Sequence, residues 1–469
     1  MIKAFIIPLL FSQLCLAQEF TIKLNRKEYK IHEILSQYIQ IESISGNEKN
    51  AGEWIKELCL QNGLHVTQMG SENGNFNLAA SIRPLDSGLP NIIFLNHIDV
   101  VPVGDSVQWQ YKPFSGRIEA GEVWGRGAFD NKGAAIVQLA SVIQAGKTFK
   151  KSENLPYNIT FLAVSCEETQ CSGGAKYVAD YYLKQLNPAV VIGEGPPGLK
   201  GIVDTDTSLS LFGISIAHKR AFWLKLELEV PTAGHGSTTP LSYSNRDMVI
   251  ALNNVVSHEQ PVEFTPINTH LLKDLGKLEK GIKAMALKHP HAYQGALVPK
   301  LREHPEVFSL LSNTITLTSI HSETDIINLI PGKTTALLDC RLLPNTNRED
   351  FLAYFKKQLN NDSIHVSVLY EMPPMHPSSD TTKFYKAMRD AIQYVYPEAA
   401  IMPIIMPNFN DVGVFRSKGI DCYSSFPIQL DLEHMKHIHN YNESLPIAPL
   451  MNGKLTYDKF IGSLMLYKE

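Results

Sequence analysis

Residues 91–99 read Asn-Ile-Ile-Phe-Leu-Asn-His-Ile-Asp. The run Asn91 to Leu95 (NIIFL) is apolar without alternation, which predicts a strand covered on both faces. It runs straight into His97 and Asp99. In an open α/β sheet, ligands collect outside the carboxyl ends of the strands. Two further runs repeat the arrangement. Asn158 to Val164 (NITFLAV) leads to Glu167-Glu168, and Ala189 to Ile192 (AVVI) leads to Gly193-Glu194-Gly195. A helix is expected over about 131–145 between the first two, and another over about 48–61. Strand, helix and strand in alternation argue for a mixed, mostly parallel sheet with helices on both faces.

After Phe212 the texture changes. Phe222 to Val230 (FWLKLELEV) alternates apolar and polar residues, as a strand with one wet face does. A helix over about 244–257, strands over 314–319 and 334–342, a helix over 348–359 and a strand over 365–370 follow. This β-α-β-β-α-β order is that of a small ferredoxin-like α+β domain. Extra helical sequence occupies about 266–311, and the first texture resumes near Met375. The expected division is 1–17 as a leader, 18–213 and 373–469 as one α/β domain, and 214–372 as a domain inserted into it.

The N-terminus reads as a signal peptide: Lys3, an apolar run from Ala4 to Phe11, and Cys15-Leu16-Ala17 before a cut ahead of Gln18. That run is too short to span a membrane, which takes about 20 residues. A secreted or periplasmic protein without a stable membrane anchor is expected. A net charge of -4 offers no footprint for nucleic acid. Five cysteines remain after the leader, too few and too scattered for a disulfide framework. Cys166 and Cys171 are close enough to pair in an oxidising compartment, or to stay as small apolar side chains.

His97, Asp130, Glu168 or Glu167, and Glu194 come from four segments that share one sheet edge. Asp130 lies in the loop Gly125-Arg126-Gly127-Ala128-Phe129-Asp130-Asn131-Lys132-Gly133. Zinc accepts imidazole nitrogen and carboxylate oxygen, and one carboxylate can bridge two ions. In His-x-Asp spacing, Asp99 can fix one ring nitrogen while His97 gives the other to metal. Adjacent glutamates diverge, so one can ligate while its neighbour acts as a base. Taken singly, each residue has an ordinary structural explanation, such as Asp130 capping a helix. Their joint placement favours a metal site. His32-Glu33 and His258-Glu259 lack the second histidine of a zincin, and Gly146-Lys147-Thr148 lacks the glycine of a P-loop.

At these residues the chain resembles the M20 metallopeptidases, and within them the carboxypeptidase S and N-acyl-amino-acid hydrolase branch. The shared strings are His97-Ile98-Asp99-Val100-Val101-Pro102, Trp124-Gly125-Arg126-Gly127-Ala128, Glu167-Glu168, Gly234-His235-Gly236-Ser237, Asn328-Leu329-Ile330-Pro331, Asp339-Cys340-Arg341 and His439-Asn440-Tyr441-Asn442-Glu443. The resemblance implies a zinc-exopeptidase-like fold whose inserted domain is a lid and homodimerisation module. It implies two divalent ions, zinc ahead of cobalt or manganese. His97, Asp130 and Glu194 would hold one ion, and Asp130, Glu168 and His439 the other. Asp99 would orient His97, and Glu167 would be the general base. His235 would help hold the oxyanion, commonly from the partner subunit, and Asn328 and Arg341 would bind substrate. The expected activity is hydrolysis of an amide beside a free amino-acid carboxylate, on a small peptide. Deacylation of N-acyl-amino acids is the alternative, and a degenerate binding protein a more distant one. Asn410-Asp411-Val412-Gly413 departs from the Thr-Asp string usual there.

Overall fold

The computed structural model describes residues 20–70, 75–231, 234–303 and 305–466. The expected leader lies outside the described residues. The strand Asn91–His97 is buried at every residue and runs inside a ten-stranded sheet. It pairs in parallel with Asn158–Val164 on one side and Pro188–Gly193 on the other. Ile92 and Phe94 enter a core shared with Ile136, Val137 and Leu139 of the helix Lys132–Thr148. Ile93 and Leu95 enter another, shared with Val178 of Ala175–Tyr181 and Phe415 of Val412–Ser417. Cover on both faces is why the sequence does not alternate.

Register then places the loops. His97 lies opposite Val164, and Leu95 opposite Gly193, so the three strands end at one edge. The antiparallel strands Asn77–Ser81 and His65–Met69 extend one flank of the sheet. Cys422–Ser424, Leu211–His218 and Ala400–Met406 extend the other.

The chain leaves this sheet at His218 and enters a second at Arg220. The second sheet runs Thr314–Ser322, Lys333–Leu342, Arg220–Glu229, His365–Glu371, all antiparallel. Its buried face, with Phe222, Leu224 and Leu226, is closed by Met248 of Ser244–Val256 and Phe355 of Arg348–Leu359. The extra stretch folds as the helices Pro266–Leu278, Gly281–Lys288, Gln294–Arg302 and Pro305–Phe308. It has its own core around Leu272, Leu287 and Leu311. It also leans on the large-sheet side: Pro266–Leu278 packs on Ala400–Met406, and Lys283 pairs with Asp204 at 2.5 Å.

Cys166 and Cys171 form a disulfide. Among the described residues, no helix is long and apolar enough to cross a membrane.

Phe355 is fully buried against Phe351 in the small core. Phe355→Ala is expected to cost about 3–5 kcal/mol in denaturant unfolding. Because the residue is remote from the large sheet's edge, zinc uptake by the folded variant is expected to be unchanged.

Candidate metal centre

The loops at the shared edge converge on one carboxylate. His97 Nε2 lies 3.1 Å from Asp130 Oδ1 and 3.1 Å from Glu194 Oε2. His439 Nε2 lies 3.1 Å from Asp130 Oδ2 and 3.2 Å from Glu168 Oε2. Asp130 thus gives one oxygen to each of two donor groups. His97, Asp130 and Glu194 form one set with ligand atoms within 4.8 Å, and Asp130, Glu168 and His439 form another. Glu167 closes a third set with His97 and Glu168.

A second layer holds these groups. His97 Nδ1 has its nearest partner in the Asp99 main-chain carbonyl, at 2.9 Å; the Asp99 carboxylate is farther, at 3.4 Å. Both the carbonyl and the carboxylate of Asp99 thus face this ring nitrogen. The buried Asp99 carboxylate also accepts the amides of Glu167 and Glu168, at 3.0 and 3.1 Å, and the Ser45 hydroxyl at 2.7 Å. Those bonds aim the glutamate pair. Glu443 does the same for Asp130. Its carboxylate accepts the amides of Gly127, Phe129 and Asp130 at 3.0, 2.9 and 3.1 Å, and Arg126 at 2.8 Å. Gly127 takes φ +83°, and a Cβ there would meet Val100 at 2.7 Å. A side chain could neither adopt this turn easily nor fit it. Glu194 is held through its carbonyl by Asn410 Nδ2 at 2.9 Å. The glycine after it lets the chain approach closely, since a Cβ on Gly195 would meet the Ser424 backbone at 2.4 Å.

The electrostatics follow from crowding. Asp99, Asp130, Glu167, Glu168, Glu194 and Asp411 are six carboxyl groups about two imidazoles, His97 and His439. Burial, and then the charge of Glu194, pushes Glu167 well above the usual carboxylate range. Burial also raises Glu168, Glu194 and Asp411. Burial works against a proton on His97, but Glu194, Asp130 and Asp99 outweigh it and lift the ring well above its ordinary value. Asp130 is the exception among the carboxyls: burial would raise it, yet His439 and His97 hold it below the usual range. Glu168 Oε1 and Asp411 Oδ2 are buried without a hydrogen-bond partner. Hard donors in excess, unpaired lone pairs and a bridging carboxylate suit a pair of divalent cations.

The match to the family model of peptidase family M20/M25/M40 covers residues 93–463, from within the strand Asn91–His97 to within the last described helix, Ala448–Met465. The chain belongs to that family. It is therefore a hydrolase of the peptidase and amidohydrolase type, and M20 members are metal-dependent. An N-fatty-acyl-amino acid synthase/hydrolase PM20D1 of Bos taurus is 26% identical over 438 residues, 88% of this chain and 84% of that protein. A Dictyostelium discoideum protein named "Probable carboxypeptidase S-like 2" is 24% identical over 377 residues, 80% of this chain and 71% of that protein. Among solved structures, the M20 metallo-carboxypeptidase Sso-CP2 of Sulfolobus solfataricus shares the fold with TM-score 0.70 at 21% identity, covering 94% of this chain and all of that one.

Three residues that the M20 resemblance assigns to substrate stand apart from the cluster. His235 bonds Ser237 at 2.8 Å and Asn328 at 3.1 Å, and both His235 and Asn328 are solvent-exposed. Arg341 is paired with Asp339 at 2.8 Å, and Asp339 also accepts Trp223 Nε1. Trp223 packs at a tilt against Tyr370, with ring centroids 5.0 Å apart, and Tyr370 shares a 360 Å³ cleft with Gln170, Cys166 and Asp411. The small sheet thus faces the glutamate loop across this cleft. A second cavity, of about 590 Å³, is lined by Ile216, Pro266, Met375 and Ile405 and contains none of the expected site residues. Volume here does not mark the chemistry.

Sequence reasoning gave Glu443, Asp411 and Asn410 no role in the site. Glu443 had a signal, since it closes the His439 string. Asp411 and Asn410 had only their place in a string that departs from the family pattern.

Removing the clamp is expected to loosen the centre. Glu443→Gln keeps the shape but loses charge on Arg126 and the loop amides. It is expected to lower metal affinity about ten- to a hundredfold, read by chelator competition. A second outcome concerns protons. Asp130 and Glu168 raise His439 to about 10 in the metal-free protein. Below that pH the ring holds a proton that a cation must displace, so apparent affinity rises with pH and metal uptake releases acid. Titration calorimetry in buffers of different ionisation enthalpy measures the release. Uptake near neutral pH without it would contradict this protonation state.

Proposed function

We propose that this protein is a secreted, two-metal amidohydrolase that cleaves the amide bond next to a free amino-acid carboxylate. The observation that carries the reading is the Asp130 carboxylate, divided between His97 with Glu194 and His439 with Glu168, beside Glu167. His97, Asp130 and Glu194 would hold one cation, and Asp130, Glu168 and His439 the other. Bound there, the pair supplies Lewis acidity and makes a water acidic enough to react near neutral pH.

The chain's own groups do the rest. Glu167 takes the proton of the attacking water and hands it to the leaving amine. Asp99 keeps Glu167 and Glu168 diverging through their amides. His235, brought by closure or by a second copy, would donate to the carbonyl oxygen as it becomes anionic, a contribution of about 3 kcal/mol for one good donor. Arg341 would receive the substrate carboxylate in its planar fork, once released from Asp339. The leader-like N-terminus and the Cys166–Cys171 bond both support an oxidising compartment.

An N-acyl-amino-acid deacylase is the second reading. The relatives named as N-fatty-acyl-amino acid hydrolases favour it. Both readings use the same carbonyl chemistry and differ in the acyl pocket. A panel of dipeptides and N-acyl-amino acids, assayed with and without chelator, separates them. Glu167→Gln is expected to bind zinc normally and lose about a hundred- to ten-thousandfold in kcat. Near-normal turnover in that variant would refute the base assignment.

A further inference from the structure

The disulfide between Cys166 and Cys171 closes a ring around Glu167, Glu168, Thr169 and Gln170. We propose that this bond positions the glutamate pair, and that a dithiol reductant which opens it lowers both turnover and metal retention. The proposal rests on the reading of Glu167 as base and Glu168 as metal donor.

Cys166 and Gln170 take φ of 56° and 53°. Both lie in the left-handed region, which residues with a Cβ avoid. An open chain with this sequence would relax away from two such residues so close together. The ring's first half is tied down by Asp99, through the amides of Glu167 and Glu168. Its second half folds back on the first. Gln170 N and Nε2 donate to the Glu167 carbonyl at 3.0 and 2.6 Å, and Nε2 lies 3.4 Å from Glu167 Oε1. Gln170 thus touches the carboxylate, and Cys171 anchors Gln170. The disulfide fastens that returning arm to Cys166, which stands just past the end of the buried strand Asn158–Val164.

The bond can be reached. Cys166 is 4% exposed, but Cys171 is half-buried and lines the 360 Å³ cleft beside Gln170 and Ser172. A thiolate of the reductant attacks Cys171 Sγ, the S–S bond breaks, and Cys166 leaves as a thiolate and takes a proton. The reductant's second thiol then attacks the mixed disulfide and releases Cys171 as a thiolate, which is protonated in turn. The reductant ends as a disulfide, and the protein gains two electrons and two protons.

The test uses the purified full-length protein loaded with zinc. Hydrolysis and zinc retention against a chelator are measured for the oxidised form, after dithiothreitol, and after reoxidation. The double variant Cys166→Ser/Cys171→Ser is carried alongside. Displacing a catalytic group by about an ångström costs up to about a hundredfold. Reduction is expected to lower kcat about ten- to a hundredfold with little change in KM, to shift the acid limb of the pH–kcat profile and to weaken zinc retention. Reoxidation is expected to restore all of these. The double variant is expected to match the reduced wild type and to ignore dithiothreitol. A double variant with wild-type kcat and zinc retention overturns the proposal. So does an equal loss on dithiothreitol in both proteins, which would mark capture of zinc by the reductant. If the double variant does not fold, the wild-type cycle decides, and a loss that reoxidation fails to reverse counts against the proposal. Turnover surviving in Glu167→Gln sinks the base reading alone, because zinc retention still reports on Glu168.

Discussion

The structure is organised around the crowding of carboxylates about Asp130. Six acidic side chains share a small, partly buried volume with two imidazoles. Like charges so placed cannot all ionise without compensation; protons or cations must enter. The fold creates this unfavourable arrangement and then restrains it. Three parallel strands ending at one edge bring the donors together. Main-chain amides fix their backbones, through Asp99 for the glutamate pair and Glu443 for the Asp130 loop. Neither carboxylate needs to touch a cation to matter. Each converts a flexible loop into a preorganised one, as the surroundings of metal ligands generally do.

The site is also divided between two layers. The charged cluster belongs to the large sheet, a rigid element with cores on both faces. Arg341, the proposed partner of the substrate carboxylate, and Tyr370 of the cleft wall belong to the small antiparallel sheet. The 360 Å³ cleft separates the two, and its walls come from both. Under the proposed function, closure of this cleft would bring the small sheet over the charged cluster and exclude water. The larger, mainly apolar cavity holds none of the donor residues that meet at the sheet edge, His97, Asp130, Glu167, Glu168, Glu194 and His439. Pocket size is a fair first guide to function only where polar groups converge.

Much of this was legible in the residues, for identifiable reasons. Asn91–His97 announced itself because a central parallel strand is apolar throughout. Arg220–Glu229 and Lys333–Leu342 alternate in burial as their sequences alternate in polarity. His97, Asp130, Glu168, Glu194 and His439 could be gathered because four follow or precede predicted elements at one edge; the fifth came only from the family resemblance. Less local features were hidden. Glu443 works through amides of a loop 313 to 317 residues away in sequence, and no periodicity encodes that. Asn410 acts on a carbonyl 216 residues away. The lean of the 266–311 helices onto Ala400–Met406 likewise depends on packing between distant segments.

The same crowding links metal to stability. A cation bound by the native cluster, and only weakly by the unfolded chain, adds its binding free energy to folding. Without it, the cluster draws compensation from protons: neighbouring carboxylates lift His97 and His439, while burial, and then nearby negative charge, pushes Glu167 and Glu194 toward neutrality. The His439 contribution has a definite sign. Its folded pKa, about 10, exceeds the ordinary imidazole value, so it stabilises the metal-free protein fully below about pH 6.5. That support fades as pH rises through the folded value. Half-exposed as the ring is, solvent screening keeps the effect modest. Rising pH therefore weakens the proton-held form of the centre while it strengthens cation binding. One bridging carboxylate ties both trends to the same residues, so metal occupancy, fold stability and the protonation of the site form a single coupled equilibrium.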